Sequence, residues 1–579
     1  MKRQNAVFFN RDKGGKGKGY FKRSRRMVLC LLCGLFAFAL FAAASGCGSS
    51  YIDERTPLPT IPFDVTPAPE QNSGIIVQPA AGGGVSMGVS GLDTLNPLKT
   101  NNEDIKCYMS LVFDSLIRLD HSQAAAEELA VGWETADGGR TWDFTLREGV
   151  KWHDGTVFHA ADVTATVSWL IQNGGSYGPC VAGVLSCTAT SEYSVRFTLS
   201  QPDAFLPCKL YFPILKGGTA DDRAPVGTGM YRYLDHSESC IRFERNTDYW
   251  SDLPYIDTIA LLQFANEREK NESDADLFVF REESVAQYAQ KAGYQSYKYA
   301  DRGFVCLVPN LTAKNSGDPI YDLNVRKALS YCFDSSGAVN IGASGWGTAA
   351  KWPVFSGTYY WRERGSVYEK DEEQVFYYLG LAGYQKDPAT GYWYKTGDTA
   401  KKNRLTVTCL ISAADMEMAY LSNYLKQQLA EFGIVLSVTT IDGGQFETAL
   451  NSRNYSIAAV KLNVGFWPDF YAVFGSRGSL NFCGYTNSRL DTLSNALYLA
   501  YEGSDFTDLS AYCEPITTQI RQILEDELPM FGLYFRSGAV TAADQIKGID
   551  LVCAWDPLGD FSKWHIYTVG TQSTEAPAP

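Results

Sequence analysis

Hydrophobic positions along this chain repeat with two different periods. Trp142, Phe144 and Leu146 alternate with polar residues, as do Tyr193, Val195, Phe197 and Leu199, and then Leu405, Val407 and Cys409. A period of two buries one face of a strand. Over Asp415–Phe432 the period lengthens, and Leu421, Leu425, Leu429 and Phe432 fall on one side of a helix. Gly433 supplies a C-terminal stop, and Val435–Thr439 begins another strand. Strand, helix and strand in succession predict a βαβ unit with parallel pairing and a right-handed crossover. Asp322–Phe333 reads as a second amphipathic helix, with Val325, Leu329 and Cys332 facing one way. The class is therefore α/β. At 579 residues the chain exceeds what one core usually takes, so more than one lobe is expected. No tandem repeat is visible.

The longest apolar run lies near the start. Val28–Ala44 carries no charge and follows Lys22, Arg23, Arg25 and Arg26, the order of a secretory signal. Ala44-Ser45-Gly46-Cys47 resembles a bacterial lipobox, with Ala44 where Leu is usual. The resemblance implies a leader over 1–46 and a mature chain that starts at a lipid-modified Cys47. It would sit on the extracytoplasmic face of the membrane. The alternative is that Met27–Gly46 stays as an uncleaved span, which it is long enough to do. The positive-inside rule gives the same orientation either way. Residues 47–81 hold five prolines between 57 and 69 and read as a disordered tether. Residues 567–579 read as a disordered tail.

Charge narrows the classes of partner. Removing residues 1–46 takes away ten Lys/Arg and one acid, Asp12, leaving 41 basic against 64 acidic side chains, a balance of −23. Such a surface argues against nucleic acid and suits a body held off an anionic membrane. Aromatic residues make up 13%, with 34 Tyr and 31 Phe. They serve either core packing or walls that grip a flexible ligand. Of 14 cysteines, Cys30, Cys33 and Cys47 belong to the leader. The rest include no CxxC pair, so a zinc cluster is not expected. Buried thiols fit best, with Cys180 and Cys187 able to close one local loop.

The densest motif runs over Leu129–Val163, LAVGWETADGGRTWDFTLREGVKWHDGTVFHAADV. Asp137-Gly138-Gly139 makes a hairpin turn, Asp154-Gly155 makes a second turn, and Ala160–Asp162 opens a helix. The block resembles the signature of the family 5 extracellular solute-binding proteins, which serve ABC importers of oligopeptides, dipeptides and nickel. Further pieces resemble the family in order: Leu92–Pro97 (LDTLNP), Phe113–Asp120 (FDSLIRLD), Pro225–Tyr231 (PVGTGMY), Arg245–Trp250 (RNTDYW), Val325–Asp334 (VRKALSYCFD), Asn481–Asp491 (NFCGYTNSRLD) and Glu525–Tyr534 (EDELPMFGLY). The resemblance spans about Gly91 to Tyr534. It implies a two-lobed, periplasmic-binding-protein-like fold of type II (cluster C) with a hinge. The first lobe would be discontinuous, over 82–118, 221–304 and 528–566. A subdomain would be appended over 119–220, and the second lobe would span 305–527.

The resemblance also implies where a ligand sits. In peptide-binding members an Asp late in the second lobe pairs with the peptide's ammonium group. Asp469 falls at that place in GFWPDFYAVF, behind Phe466 and Trp467. A carboxylate shut into a cleft needs a partner charge, although Asp469 could equally cap a turn after Pro468. Asn101 and Asn102 would line the hinge side, and Trp352 would border the cleft. Asn481 and Tyr485 would add polar contacts or serve the fold. Arg477 is a candidate for a peptide carboxylate by position only. Trp152 and His153 of KWHDG read as architecture, with Trp152 packing and His153 serving a turn.

The expected partners are a short peptide, with a nickel complex or an oligosaccharide as other ligands of the family, and ABC permease and ATPase subunits. A monomer, no cofactor and no metal are expected, and no catalysis. A secreted hydrolase is the contrasting reading. Gly84–Gly88 (GVSMG) and Gly174–Gly178 (GGSYG) both match G-x-S-x-G, but neither sits between a strand and a helix as a nucleophile elbow must. None of the five His forms a paired metal spacing. A peptide-sensing receptor uncoupled from import is the third reading.

Overall fold

A computed structural model describes residues 79–218, 224–362, 369–499 and 509–567. All belong to the compact unit Asn72–Pro579. The leader 1–46, the lipidation position Cys47, most of the tether and the tail after residue 567 lie outside the described residues.

The local patterns give the elements their periods imply. Thr141–Leu146, Ser194–Leu199 and Thr406–Ser412 are strands. Met416–Glu431 is a helix whose face of Met418, Leu421, Leu425 and Leu429 is buried. Gly433 follows it at φ 82°, a left-handed position that favours glycine. Ile434 N–H donates to the Leu429 carbonyl and Gly433 N–H to that of Ala430, closing a Schellman motif. The chain then enters Val435–Ile441, which pairs parallel with Thr406–Ser412 in continuous register from Thr406↔Val435 to Ser412↔Ile441. This is the βαβ unit. The second helix, Leu323–Ser330, is shorter than its pattern suggests and buries Val325 and Leu329.

These strands join an 11-stranded mixed sheet. At one end lie Val435–Ile441, Thr406–Ser412 and Ile457–Asn463. At the other lie Leu277–Phe280, Gly84–Ser90, Thr258–Phe264, Cys240–Arg245 and Tyr231–His236. Two long antiparallel strands, Tyr294–Pro309 and Phe531–Ala543, connect the ends. The fold is two-lobed, and its cores divide accordingly. One gathers apolar side chains from 85–299 and 540–564. Two others draw on 304–535, with Leu119, Phe205 and Cys208 reaching in from the first half. A separate four-stranded sheet, with Thr141–Leu146 and Ser194–Leu199 at its centre, packs with the helix Ala160–Asn173.

The KWHDG block works as architecture. Trp152 is buried, and its indole N–H reaches Asp162 Oδ2 at 3.3 Å. His153 does more than serve its own turn. Its Nδ1 accepts from Gly227 N–H at 3.2 Å, and its Nε2 lies 3.0 Å from the Gly229 carbonyl. One neutral tautomer satisfies both bonds, and burial pushes the imidazole down to about 4. The motif PVGTGMY is thereby clamped to WHDG. A Cβ on Gly227 would overlap the Val112 carbonyl oxygen, so the clamp requires glycine there. Cys180 and Cys187 are both free and buried, so no disulfide closes the loop between them.

Candidate functional site

The central strand pair is interrupted where it passes between the lobes. Its register shifts between Ala300 and Phe304 and again between Val305 and Cys306. Asp301, Arg302 and Gly303 fall out of register with Phe531–Ala543 there, while Gly303 stays paired with Asn463 on the other side. The irregularity turns Arg302 outward as bulges do, and its Nε donates to the Val464 carbonyl at 2.9 Å.

Two cavities meet at this point, sharing Arg302 and Asn463. The first, about 640 Å³, is polar, with Asn102, Asp104, Lys270, Arg281, Asp301 and Lys461 among its walls. Its charges are paired in depth. Asp104 holds Lys270 at 2.6 Å and Arg281 at 3.2 Å. Lys461 reaches Glu417 at 3.2 Å, and Glu417 accepts from the Tyr534 hydroxyl at 2.8 Å and lies 3.4 Å from Arg536. Charge so compensated holds both lobes' strands at the crossing.

The second cavity, about 250 Å³, is walled by Pro179, Val354, Tyr360, Trp467, Asp469 and Phe470, among others. Asp469 is exposed to it. Its carboxylate also caps the helix Phe470–Phe474, accepting from Ala472 N–H at 2.9 Å. The cap and the cavity-facing charge coexist in one side chain, since a carboxylate has acceptor capacity for both. Burial, and next the charge of Asp469, push the Tyr498 phenol well above its ordinary range, so this neighbour stays a neutral donor. Trp467 is half-buried, with Lys209 Nζ 5.2 Å from its ring. Lys209 is itself paired with Asp203 at 2.6 Å, both nearly buried.

The two sides of the cleft touch. Tyr359 N–H donates to the Ser122 carbonyl at 3.0 Å, and Ala204 N–H to that of Tyr498 at 2.9 Å. The Tyr360 hydroxyl reaches Gln123 Oε1 at 3.1 Å.

Of the residues singled out in the sequence, Asp469 and Trp467 share the aromatic cavity, and Asn102 lines the polar one. Asn102 is also a helix cap, accepting from Asp104 and Ile105 N–H. Asn101 is exposed and gives its N–H to Asp93. Phe466 turns the other way from Trp467 and is buried among Tyr211, Phe355 and Trp555. Trp352 is buried edge-on against Phe474. Asn481 is buried, donating to the carbonyls of Gly475 and Tyr485 and accepting from Tyr485 N–H. The Tyr485 hydroxyl donates to Glu527 at 2.6 Å. Both hold the fold around the 475–487 loop. Arg477 is exposed and is not among the residues lining either cavity. The cation that does line both is Arg302, which carries no local sequence signal.

The G-x-S-x-G matches fall where no elbow forms. Gly84–Gly88 lies inside the strand Gly84–Ser90, with the Ser86 hydroxyl bonded to Asp276. Gly174–Gly178 is the loop after the helix Ala160–Asn173.

The chain matches the family model "Bacterial extracellular solute-binding proteins, family 5 Middle" over residues 125–481. It is similar to the oligopeptide-binding protein AppA of Bacillus subtilis, 22% identical over 556 residues, 91% of this chain and 96% of that protein. It is also similar to the glutathione-binding protein GsiB of Pectobacterium atrosepticum, 23% identical over 442 residues, 70% of this chain and 80% of that one. Among solved structures, AppA with a nonapeptide gives a TM-score of 0.55 at 20% identity, covering 85% of this chain and all of that one. The unliganded open form of the periplasmic murein tripeptide-binding protein MppA gives 0.70 at 16% identity, covering 84% and 98%.

Proposed function

Because the chain belongs to the bacterial extracellular solute-binding proteins of family 5, we propose that it captures a short peptide outside the cell and delivers it to an ABC importer. The two relatives reported above are named for oligopeptides and glutathione, which favours a peptide over an oligosaccharide, while solved structures of the same fold are named for both peptides and nickel complexes. The observation that carries the reading is that the Asp469 carboxylate and the Arg302 guanidinium bound one aromatic-walled cavity. A zwitterion needs such a pair, an acid for its ammonium and a cation for its carboxylate, with apolar walls between.

The chain acts by binding and supplies no chemistry. Lobe I (82–118, 221–304 and 528–566), with its subdomain 119–220, moves against lobe II (305–527) about the irregular strand crossing at Asp301–Gly303. A ligand touched by both lobes stabilises the shut state by its differential affinity for that state. The shut form then docks on the permease, and partner subunits hydrolyse ATP. The protein is an extracytoplasmic monomer tethered through lipid on Cys47 after cleavage of residues 1–46.

Calorimetry of ligand-stripped protein against a peptide library, with native mass spectrometry of freshly purified material, tests the reading. Saturable heat with peptides and a co-purified mass of peptide size are the expected results. A co-purified sugar or metal complex, with no peptide heat, would overturn it. An N-terminal peptide that spans residues 40–50 intact would remove the lipid anchor.

A further inference from the structure

The two cavities that meet at Arg302 and Asn463 run on from Asp469 to the strand crossing. Their charges divide into those already matched and those left over. Asp104 and Glu267 both hold Lys270, at 2.6 and 2.7 Å, and Asp104 also reaches Arg281. Glu103 pairs with Lys106 at 2.6 Å, and Lys461 with Glu417 at 3.2 Å. Glu282 stands 3.8 Å from Arg536. Three lining groups have no ion-pair partner within 4 Å among the described residues, namely Asp469, Arg302 and Asp301. Each meets a backbone group instead. Asp469 accepts from Ala472 N–H, Arg302 donates to the Val464 carbonyl, and Asp301 accepts from Arg302 N–H at 2.8 Å.

Two of the three are adjacent. Asp301 and Arg302 leave the central strand pair together, where its register shifts between Ala300 and Phe304, and such an irregularity re-aims side chains. Asp301 is half-buried and lines the polar cavity alone, whereas Arg302 lines both. The acid and the cation therefore stand side by side at the junction. A charge that a bound ligand cuts off from water needs an opposite charge beside it. A zwitterion answers Asp469 with its ammonium and Arg302 with its carboxylate, and leaves Asp301 unanswered. A C-terminal Lys or Arg supplies the missing cation from the same residue that carries the carboxylate. Its flexible stem lets that cation reach the neighbour of the group that holds the carboxylate.

We propose that Asp301 is a specificity-determining residue that selects peptides ending in a basic side chain. The proposal rests on the peptide reading above and adds the charge of the last residue.

The test is calorimetry of the ligand-stripped full chain with peptides of three and of five residues. They are alanine throughout except at the last position, which is Lys, norleucine or Glu. Wild type should bind the Lys-ended peptides at least fivefold tighter than the norleucine-ended ones, which keep the stem without the charge, and the Glu-ended ones weakest. The same Lys-for-norleucine exchange at the second position should change affinity by less than twofold. Asp301→Asn, which keeps an acceptor for Arg302 N–H, should bring Lys-ended and norleucine-ended peptides within twofold of each other and leave the latter's affinity unchanged. Asp301→Ser takes its place if that variant fails to fold. Equal affinity of wild type for Lys-ended and norleucine-ended peptides overturns the selection and leaves the peptide reading intact. A preference that a folded variant keeps, or that the second position shows in full, overturns the role of Asp301. Binding of none of these peptides overturns the peptide reading, and the selection falls with it.

Discussion

Asp469 caps a helix and borders a cavity, and two substitutions separate the cap from the proposed ligand contact. As a cap it accepts one backbone N–H, at 2.9 Å, for a helix of five residues. Asn caps as well as Asp does, so Asp469→Asn should shift stability by no more than about 0.5 kcal/mol. Ala cannot cap, and Asp469→Ala should cost about 1 kcal/mol, a fall of under about 2 °C in the thermal midpoint of a chain this size. The proposed ligand contact depends on charge instead. A hydrogen bond to a charged group is worth about 1.5–3 kcal/mol net, and each 1.4 kcal/mol is tenfold in affinity. Asp469→Asn should therefore weaken a peptide by about 10- to 100-fold while the fold melts where wild type does. N-acetylated peptide, which lacks the ammonium, should bind wild type and Asp469→Asn alike. Calorimetry with free and acetylated forms of one peptide, beside thermal melts, reads every arm. If Asp469→Asn keeps its affinity within twofold while Asp469→Ala loses stability, the carboxylate is a cap alone.

Arg302→Met should weaken peptides with a free carboxylate about tenfold or more and leave C-terminally amidated ones unchanged in calorimetry, because only the former need the guanidinium. The pH dependence of stability holds two opposed contributions. Burial raises Asp556 from 3.8 to about 6, so the native state holds its proton more tightly than the unfolded one. Stability then falls as pH rises from about 4 to 6, by up to about 3 kcal/mol, and Asp556→Asn should raise the melting midpoint at pH 7.5. His153 works the other way. Its native value near 4 lies below the ordinary 6.5, so its contribution is complete above pH 6.5 and is lost as pH falls toward 4. Melts of His153→Gln from pH 7.5 to 4 should show a shallower acid loss than wild type. Gly227→Ala, which drives a Cβ into the Val112 carbonyl, should cost about 3 kcal/mol or more, and a midpoint within 2 °C of wild type would refute the clamp.

The family motifs were legible because they encode local geometry. Asp154-Gly155 makes a turn, Asn481 binds its own loop, and Gly433 ends a helix, each through contacts a few residues away. Asp469 was marked by the resemblance of GFWPDFYAVF to the family, and the cap it makes to Ala472 N–H is the local contact its place after Pro468 allowed. The opposed fates of Phe466 and Trp467 were not legible. Both lie at a bend after the strand Ile457–Asn463, where no period assigns a face, and only the packing of Tyr211, Phe355 and Trp555 decides which of the two is core. Arg477 and Arg302 show the same limit. Each is an exposed arginine beside a glycine, and the register shift at Ala300–Phe304 is what delivers the second to the cleft.

The sequence alone determined the periods, the turns and the βαβ unit, because strand alternation, helical spacing and glycine stops act within a few residues. It also determined the family, because a long ordered string of such signals leaves little room for coincidence. Tertiary structure alone decided that His153 would clamp a loop some 75 residues away, that Arg302 would line the cavity of Asp469, and that Phe466 would pack with rings from three other segments. Those outcomes depend on which surfaces meet when the chain closes on itself, and side chains far apart along the backbone leave no periodic trace of meeting.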